Sequence, residues 1–419
     1  MFGALATGRT RIAGLLEAED ILCTARALQA LGCPIHKYGQ TWEVLGRGVG
    51  GLGQPECDLD FGNSGTGVRL MMGVLAGHDM TVRLVGDASL SRRPMGRVLK
   101  PLREMGLEVC EDGRETLPLT MRGTRDLVPI EYRLPVASAQ VKSAILIAGL
   151  HAAGATTVIE SEATRDHTER MLRHFGAELH IAEQGNARTI TVKGDAELTG
   201  RDVAVPGDPS SAAFLAAAAL IVPGSEVIIE GVLANPTRMG FYLTLQEMGG
   251  DVTFTNEHEE AGEPIADIRV RASSLVGTAV PAERAPSMID EYPVLAVVAA
   301  FADGETRMDG LAELKVKESD RLAATAAGLL ANGIRAQVIG DTLLVGGRRD
   351  HYHDPVGVLG GGTVKTHMDH RIAMAFLTMG LASTHPVTVD DASIIATSFP
   401  EFRSLMEQLG ASFRTAAAP

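Results

Sequence analysis

The sequence predicts an α/β protein of two domains, each built from three similar helix-and-sheet modules. Three observations carry that prediction. A helix-ending phrase recurs along the whole chain, a turn cluster divides it near the middle, and its composition is that of a globular protein. The phrase occurs as Leu28-Gln-Ala-Leu-Gly32, Leu102-Arg-Glu-Met-Gly106, Leu172-Arg-His-Phe-Gly176, Leu245-Gln-Glu-Met-Gly249, Leu329-Leu-Ala-Asn-Gly333 and Met406-Glu-Gln-Leu-Gly410. Its closing glycine suits the residue just past a helix, where the backbone turns left-handed and a Cβ would clash. Successive glycines lie 74, 70, 73, 84 and 77 residues apart, which is too long for a solenoid repeat and fits a module of several elements.

After most copies a short alternating segment reads as a strand, as in Ala177-Glu-Leu-His-Ile181 and Asp251-Val-Thr-Phe-Thr255. The first copy closes at Gly32, about thirty residues short of its sisters, so the first module is expected to be either degenerate or N-terminally incomplete. Val205-Pro-Gly-Asp-Pro-Ser210 is a turn cluster ahead of an apolar helix from Ala212. It places the domains at residues 1–206 and 207–419.

Composition narrows the function. The 419 residues carry a formal net charge of −14, with 45% hydrophobic and 21% charged residues, which argues against disorder and against a general binder of nucleic acid or anionic membrane. A site for an acidic ligand must then be a local cluster of Arg and Lys. Cys23, Cys33, Cys57 and Cys110 form no CxxC pair, so reduced thiols and a cytoplasmic location are expected. The longest apolar runs, such as Ala212 to Val222, are too short to span a bilayer, and the first residues lack a basic signal-peptide region.

Several motifs carry less chemistry than their patterns suggest. Gly46-Arg-Gly-Val-Gly-Gly51 matches GxGxxG after the strand-like Thr41–Leu45, but Leu52-Gly-Gln-Pro55 follows where a dinucleotide site needs a helix, so a hairpin loop is expected. Gly357 to Thr366 lacks the lysine of a phosphate loop and reads as a glycine-rich turn. His351 and His353 sit in a polar insertion, and His367 and His370 lack a zinc-site pattern, so no metal is expected.

Other segments point to anions. Phe61-Gly-Asn-Ser-Gly-Thr-Gly67 feeds an apolar helix from Val68, where free N–H groups make either an anion site or an ordinary N-cap. Basic residues precede other helices in Ser91-Arg-Arg93-Pro-Met95, Thr164-Arg165-Asp-His167, Lys315 to Arg321 and Asp369-His-Arg371. Singly these are solvated faces or capping pairs; repeated at module starts they form a set suited to carboxylate and phosphate. Asp290 and Glu318 stand among the cations, either as helix-cap carboxylates or as a pair dividing base and acid roles.

Taken together, these residues resemble the 5-enolpyruvylshikimate-3-phosphate (EPSP) synthase family in its bacterial class II form, over nearly the whole chain. The resemblance lies in Leu59-Asp-Phe-Gly-Asn-Ser-Gly-Thr66, Asp87 to Met95, Val136-Ala-Ser-Ala-Gln-Val-Lys-Ser143, Thr164 to His167, Val205 to Ser211, Ile289-Asp-Glu-Tyr-Pro293, Val316 to Leu322 and Asp369 to Met374. It implies an inside-out α/β barrel fold with three βαβαββ-like units in each of two domains and the active site in the interdomain cleft. It also implies transfer of the enolpyruvyl group of phosphoenolpyruvate to the 5-hydroxyl of shikimate 3-phosphate, with release of phosphate, by a cytoplasmic monomer that uses no cofactor.

By resemblance, Ser138, Ala139, Gln140, Arg165, Asp290 and Lys317 hold shikimate 3-phosphate, with Ser138 and Arg165 near its phosphate. Gly65, Arg93, Gln140, Arg321 and Arg371 hold phosphoenolpyruvate. Asp290 is the base for the hydroxyl, and Glu318 helps protonate the methylene carbon. A glycine at position 65 leaves room for the inhibitor glyphosate, which an alanine would crowd.

The sequence also departs from the family. Nothing in Met1 to Arg11 matches the family's N-terminal Lys-Ser-x-Ser-x-Arg segment, and Thr397-Ser-Phe-Pro400 lacks a lysine that some members carry. The first departure makes a catalytically impaired, substrate-binding form one alternative. A second is the related UDP-N-acetylglucosamine enolpyruvyl transferase, whose loop cysteine would have to be Cys110; that residue reads instead as an inward-pointing strand residue in Leu107-Glu-Val-Cys-Glu111.

Overall fold

A computed structural model describes residues 1–185, 187–347 and 360–415. The chain forms two compact units, Met1–Val205 with Glu260–Glu263, and Pro206–Glu259 with Pro264–Pro419. Among the described residues each unit carries three sheets.

One topology recurs. In the first unit Leu59–Asp60 runs parallel to Thr81–Val85, which is antiparallel to Leu119–Arg122, itself antiparallel to Glu108–Val109. The same order appears in Glu131–Arg133, Ala155–Glu160, Ala187–Lys193 and Leu179–Gln184. In the second unit it appears in Ala279–Val280, Glu305–Met308, Thr342–Gly346 and Ala336–Ile339. One helix links the parallel strands and another leads into the hairpin, giving β-α-β-α-β-β. The first module differs: Ala6–Ala13 pairs with Thr41–Arg47 in the hairpin, but its parallel neighbours are Leu198–Thr199 and Val203–Ala204 from the far end of the unit.

The two helices of a module have different jobs. Those linking parallel strands, such as Gly65–Ala76, Ala139–Gly149 and Tyr292–Ala300, are buried along nearly their whole length and apolar on nearly every side. Those leading into hairpins carry an apolar stripe. In Gly96–Met105 the residues Val98, Leu99, Leu102 and Met105 are buried while Arg97, Lys100 and Arg103 face water. The hairpin-side helices end at the repeated phrase, and all six closing glycines are left-handed, with φ between 76° and 117°.

Some elements differ from the sequence expectation. The helix expected from Ala212 begins at Pro209, because Asp208 accepts from the N–H groups of Ser210 and Ser211 and proline fits the first helical turn. Gly46 lies inside the Thr41–Arg47 strand rather than in the loop, while the loop expected in place of a helix does follow. Cys110 is exposed, not inward: strand alternation puts it on the face of exposed Glu108, while its N–H still bonds Thr120 O at 2.9 Å. Of the glycine-rich stretch 357–366, Thr363–Val364 is a strand paired with Thr388–Val389. Residues 357–359, His351 and His353 lie outside the described residues.

Candidate active site

In the first unit, two inner helices touch closely enough to build a polar cluster. A Cβ on Gly73 would sit 2.3 Å from Ala144 O, so only glycine lets the Gly65–Ala76 helix lie this close to the Ala139–Gly149 helix. Near their N-termini, Gln140 meets the first helix. Its Oε1 accepts from Arg69 Nη1 at 3.1 Å, and its Nε2 donates to Thr66 Oγ1 at 2.8 Å. Ser138 caps the Ala139–Gly149 helix by accepting from Val141 N–H, and Ser64 caps the other by accepting from Gly67 N–H.

Gly65 is the floor of this cluster. A Cβ there would meet Arg93 Nη1 at 3.0 Å and Arg69 Nη1 at 3.1 Å, so two guanidinium tips converge over one bare backbone position. Their partners are neutral. Arg93 donates to Asn63 Oδ1 at 2.7 Å and Ser89 Oγ at 3.4 Å; Arg69 donates to Gln140 and to the carbonyls of Gly65 and Pro94. Among the described residues neither cation has a carboxylate partner. Burial, reinforced by Arg93 and Arg97, holds Arg69 below its ordinary pKa, as expected where cations crowd without an anion.

In the second unit the cations are saturated. Arg321 opens the Arg321–Ala331 helix and is only 1% exposed. Its Nε lies 2.8 Å from Asp369 Oδ2, its Nη1 lies 3.1 Å from Asp290 Oδ1, and its Nη2 contacts Glu318. Burial opposes the charge on Arg321, but Glu318, Asp369 and Asp290 outweigh it and raise the pKa further. Lys317 Nζ approaches Asp290 at 3.9 Å. Asp369 accepts from Arg371 N–H and from Ser319 Oγ; burial pushes its carboxyl up, but the Arg321 charge and hydrogen bond, with His370 and the Arg371 N–H, together hold it below its ordinary value.

Arg371 continues the network, with Nη1 3.8 Å from Glu291 Oε1. Glu291 also takes the Ser210 hydroxyl, which accepts from Arg238 Nη2 at 2.7 Å. Burial alone would push the Asp208 carboxyl up, but Arg238 and Arg371 hold it below its ordinary value. His370, beside Arg371, is pushed down to about 4 by burial and then by that charge, so it is neutral at physiological pH.

The site residues read from the sequence thus fall into two sets. Gly65, Arg93 and Gln140 come together in the first unit, with Ser138 and Ala139 at the start of the helix carrying Gln140. Arg165, half-buried, follows Thr164 in the same unit. Asp290, Lys317, Glu318 and Arg321 come together in the second unit, with Arg371 joined through Asp369. Sequence reasoning missed Arg69, Arg238 and the Asp208–Ser210–Glu291 chain. For Arg69 a signal existed, since it is a lone charge within an otherwise apolar helix. Among the described residues no group of three or more His, Cys, Asp or Glu side chains is placed to hold a metal ion.

A family model described as EPSP synthase (3-phosphoshikimate 1-carboxyvinyltransferase) matches residues 1–406. This chain belongs to the EPSP synthase family. It is 59% identical over 418 residues to the 3-phosphoshikimate 1-carboxyvinyltransferase of Parvibaculum lavamentivorans, covering 99% of this chain and 91% of the relative. It is 58% identical over 420 residues to the Brucella abortus protein of that name, covering 100% and 92%. An EPSP synthase structure from Acinetobacter baumannii superposes with a TM-score of 0.87 at 44% identity, over 98% of this chain and 92% of that one. The enolpyruvyl transferase NikO from Streptomyces tendae shares the fold at 18% identity and a TM-score of 0.75, over 100% and 93%. The fold is the two-domain α/β fold of this family.

Proposed function

We propose that this EPSP synthase family member joins phosphoenolpyruvate to the 5-hydroxyl of shikimate 3-phosphate with the residues described above. Gly65, Arg93, Gln140, Arg321 and Arg371 take phosphoenolpyruvate. Ser138, Ala139, Gln140, Arg165, Asp290 and Lys317 take shikimate 3-phosphate. Arg69, hydrogen-bonded to Gln140 and converging with Arg93 above Gly65, joins the first set.

The chemistry is addition followed by elimination. Asp290 accepts the 5-hydroxyl proton as that oxygen bonds C2 of phosphoenolpyruvate, and Glu318 delivers a proton to C3. The tetrahedral adduct then loses phosphate by C–O cleavage while C3 returns a proton to Glu318. The double bond reforms, and the proton on Asp290 leaves with phosphate. The cations stabilise the charge that gathers on the departing group.

The observation that carries this reading is the shared grip of Arg321 on Asp290 and Glu318. One guanidinium fixes both carboxylates. A substrate anion arriving at Arg321 competes with Glu318 for it and frees that carboxyl to exchange a proton. The cysteine-dependent alternative has weak support, because partial desolvation of the otherwise exposed Cys110 and the neighbouring Glu108 and Glu111 raise its thiol above the ordinary value. Four free cysteines support residence in a reducing compartment, and a monomer is proposed, to be checked by sedimentation.

The test is phosphate release from phosphoenolpyruvate and shikimate 3-phosphate, repeated with Glu318→Gln and Asp290→Asn. Turnover that drops by roughly 10²-fold or more in each variant supports the assignment. Full activity in both variants, or turnover with UDP-N-acetylglucosamine instead, overturns it.

A further inference from the structure

The Ala139–Gly149 helix carries one charge in its buried interior, Lys142, whose side chain is 0% exposed. The amine meets two carboxylates from two other segments: Glu160 Oε2 at 3.2 Å and Glu169 Oε1 at 2.7 Å. Glu160 ends the Ala155–Glu160 strand, and Glu169 lies in the His167–His174 helix. Arg188 Nη1, 3.7 Å from Glu160, supplies a second cation, so two positive and two negative groups stand together.

Stability does not account for this arrangement. Well-packed apolar side chains commonly match or exceed a buried ion pair, because both charges lose their hydration. What an ion cluster adds is register, since it tolerates one arrangement of the segments that meet in it. The segments meeting here are informative. Glu160 also accepts from Thr164 N–H at 3.3 Å and Thr164 Oγ1 at 2.9 Å, and Arg165 is the next residue. Lys142 is two residues from Gln140, and its own N–H bonds Ser138 O at 3.1 Å. A second link runs alongside, Ser143 Oγ to Thr168 Oγ1 at 2.6 Å.

We propose that Lys142 is a positioning residue for the phosphate end of shikimate 3-phosphate, locking Ser138 and Gln140 in register with Arg165 through Glu160 and Thr164. It touches no substrate. The proposal rests on the assignment of Ser138, Gln140 and Arg165 to that ligand.

The decisive variant is Lys142→Met/Glu169→Gln, which removes one cation and one anion and leaves Glu160 with Arg188 and Thr164. Three quantities are measured: the melting temperature, shikimate 3-phosphate affinity by calorimetry, and the KM for each substrate. The expected result is a nearly unchanged melting temperature, shikimate 3-phosphate affinity weakened about tenfold because small misplacements of binding groups are costly, and a phosphoenolpyruvate KM within about threefold of the parent because Arg69 and Thr66 still hold the Gln140 amide. A purely structural role would lower the melting temperature and leave the two substrates equally affected. Thr164→Val, which removes a single hydroxyl link, is expected to weaken shikimate 3-phosphate about threefold, and it decides the matter if the double variant does not fold.

Arg165→Ala separates the two readings. If it weakens shikimate 3-phosphate while the folded double variant, or Thr164→Val in its place, binds like the parent, the positioning role of Lys142 is refuted and the site stands. If Arg165→Ala also binds like the parent, the assignment of the site itself falls, and the role of Lys142 with it.

Discussion

The two units place cations at helix starts in opposite electrostatic conditions. Arg69 and Arg93 of the first unit converge over Gly65 with amides, hydroxyls and carbonyls as partners. Arg321 of the second unit is surrounded by Asp290, Glu318 and Asp369. Neutral partners orient a guanidinium without cancelling its charge, so the first cluster is ready for an anion. Carboxylate partners cancel the charge, so on the proposed reading the second cluster holds Asp290 and Glu318 against a cation until a substrate anion competes for it. On the proposed assignment, the module offers an anion site with neutral partners in the first unit, and in the second unit it sets the binding cations Arg321 and Arg371 beside the carboxylates that would carry protons.

The largest test of this contrast is Arg321→Met. It leaves Asp369 buried without its main cation, so unfolding free energy should fall by about 3–5 kcal/mol and turnover should vanish. Arg93→Met should do the reverse, leaving denaturant stability within about 1 kcal/mol of the parent while phosphoenolpyruvate KM rises at least about tenfold. Equal losses of stability in the two variants would remove the distinction between the halves.

Acid stability offers a second comparison. In the first unit His78 and His151 pack edge to face with ring centroids 4.9 Å apart, and burial pushes His151 down to about 3. His78 is also depressed by burial, with its ring nitrogens against Val74 O and Leu52 N–H. For a histidine depressed in the fold, the unfolded chain takes a proton first. Its stabilising contribution is present above about pH 6.5 and is lost as pH falls toward the folded value. Denaturation midpoints should therefore drop between about pH 6.5 and 4, and His151→Gln should reduce the slope by about one proton. His370→Gln should do the same through the second unit, above its folded value of about 4.

Gly65→Ala is the mildest change. Its Cβ would press on two flexible guanidinium tips at 3.0 and 3.1 Å, which can give way by a few tenths of an ångström. Phosphoenolpyruvate KM should rise only about threefold, while glyphosate, expected to compete with phosphoenolpyruvate, should lose considerably more affinity. An unchanged inhibition constant would show that the inhibitor does not lie against residue 65.

What could be read in the sequence was what local chemistry determines. The six phrase glycines are all left-handed because a helix must end within its own few residues. Ser64, Ser138 and Asp369 cap helices through bonds to N–H groups no more than three residues away. Arg69 and Lys142 were missed for the opposite reason: their partners are distant in sequence, with Gln140 lying 71 residues from Arg69. In both helices a single charge interrupts a buried apolar surface, and that mismatch was the available signal. Cys110 was misread because its short strand places alternate residues outward, and only the pairing with Leu119–Arg122 fixes which face that is.

The first strand, Ala6–Ala13, has a further consequence for how the chain is made. Its parallel neighbours arrive with Leu198–Thr199 and Val203–Ala204, and Thr7 Oγ1 donates to Leu198 O across 191 residues. The Ala6–Ala13 strand is therefore made well before Leu198–Thr199 and Val203–Ala204, and its parallel pairings wait until those residues follow. Such a closure couples residues 191 apart in one slow, high-contact-order step. During that interval a nascent chain would most benefit from a chaperone at its exposed edge.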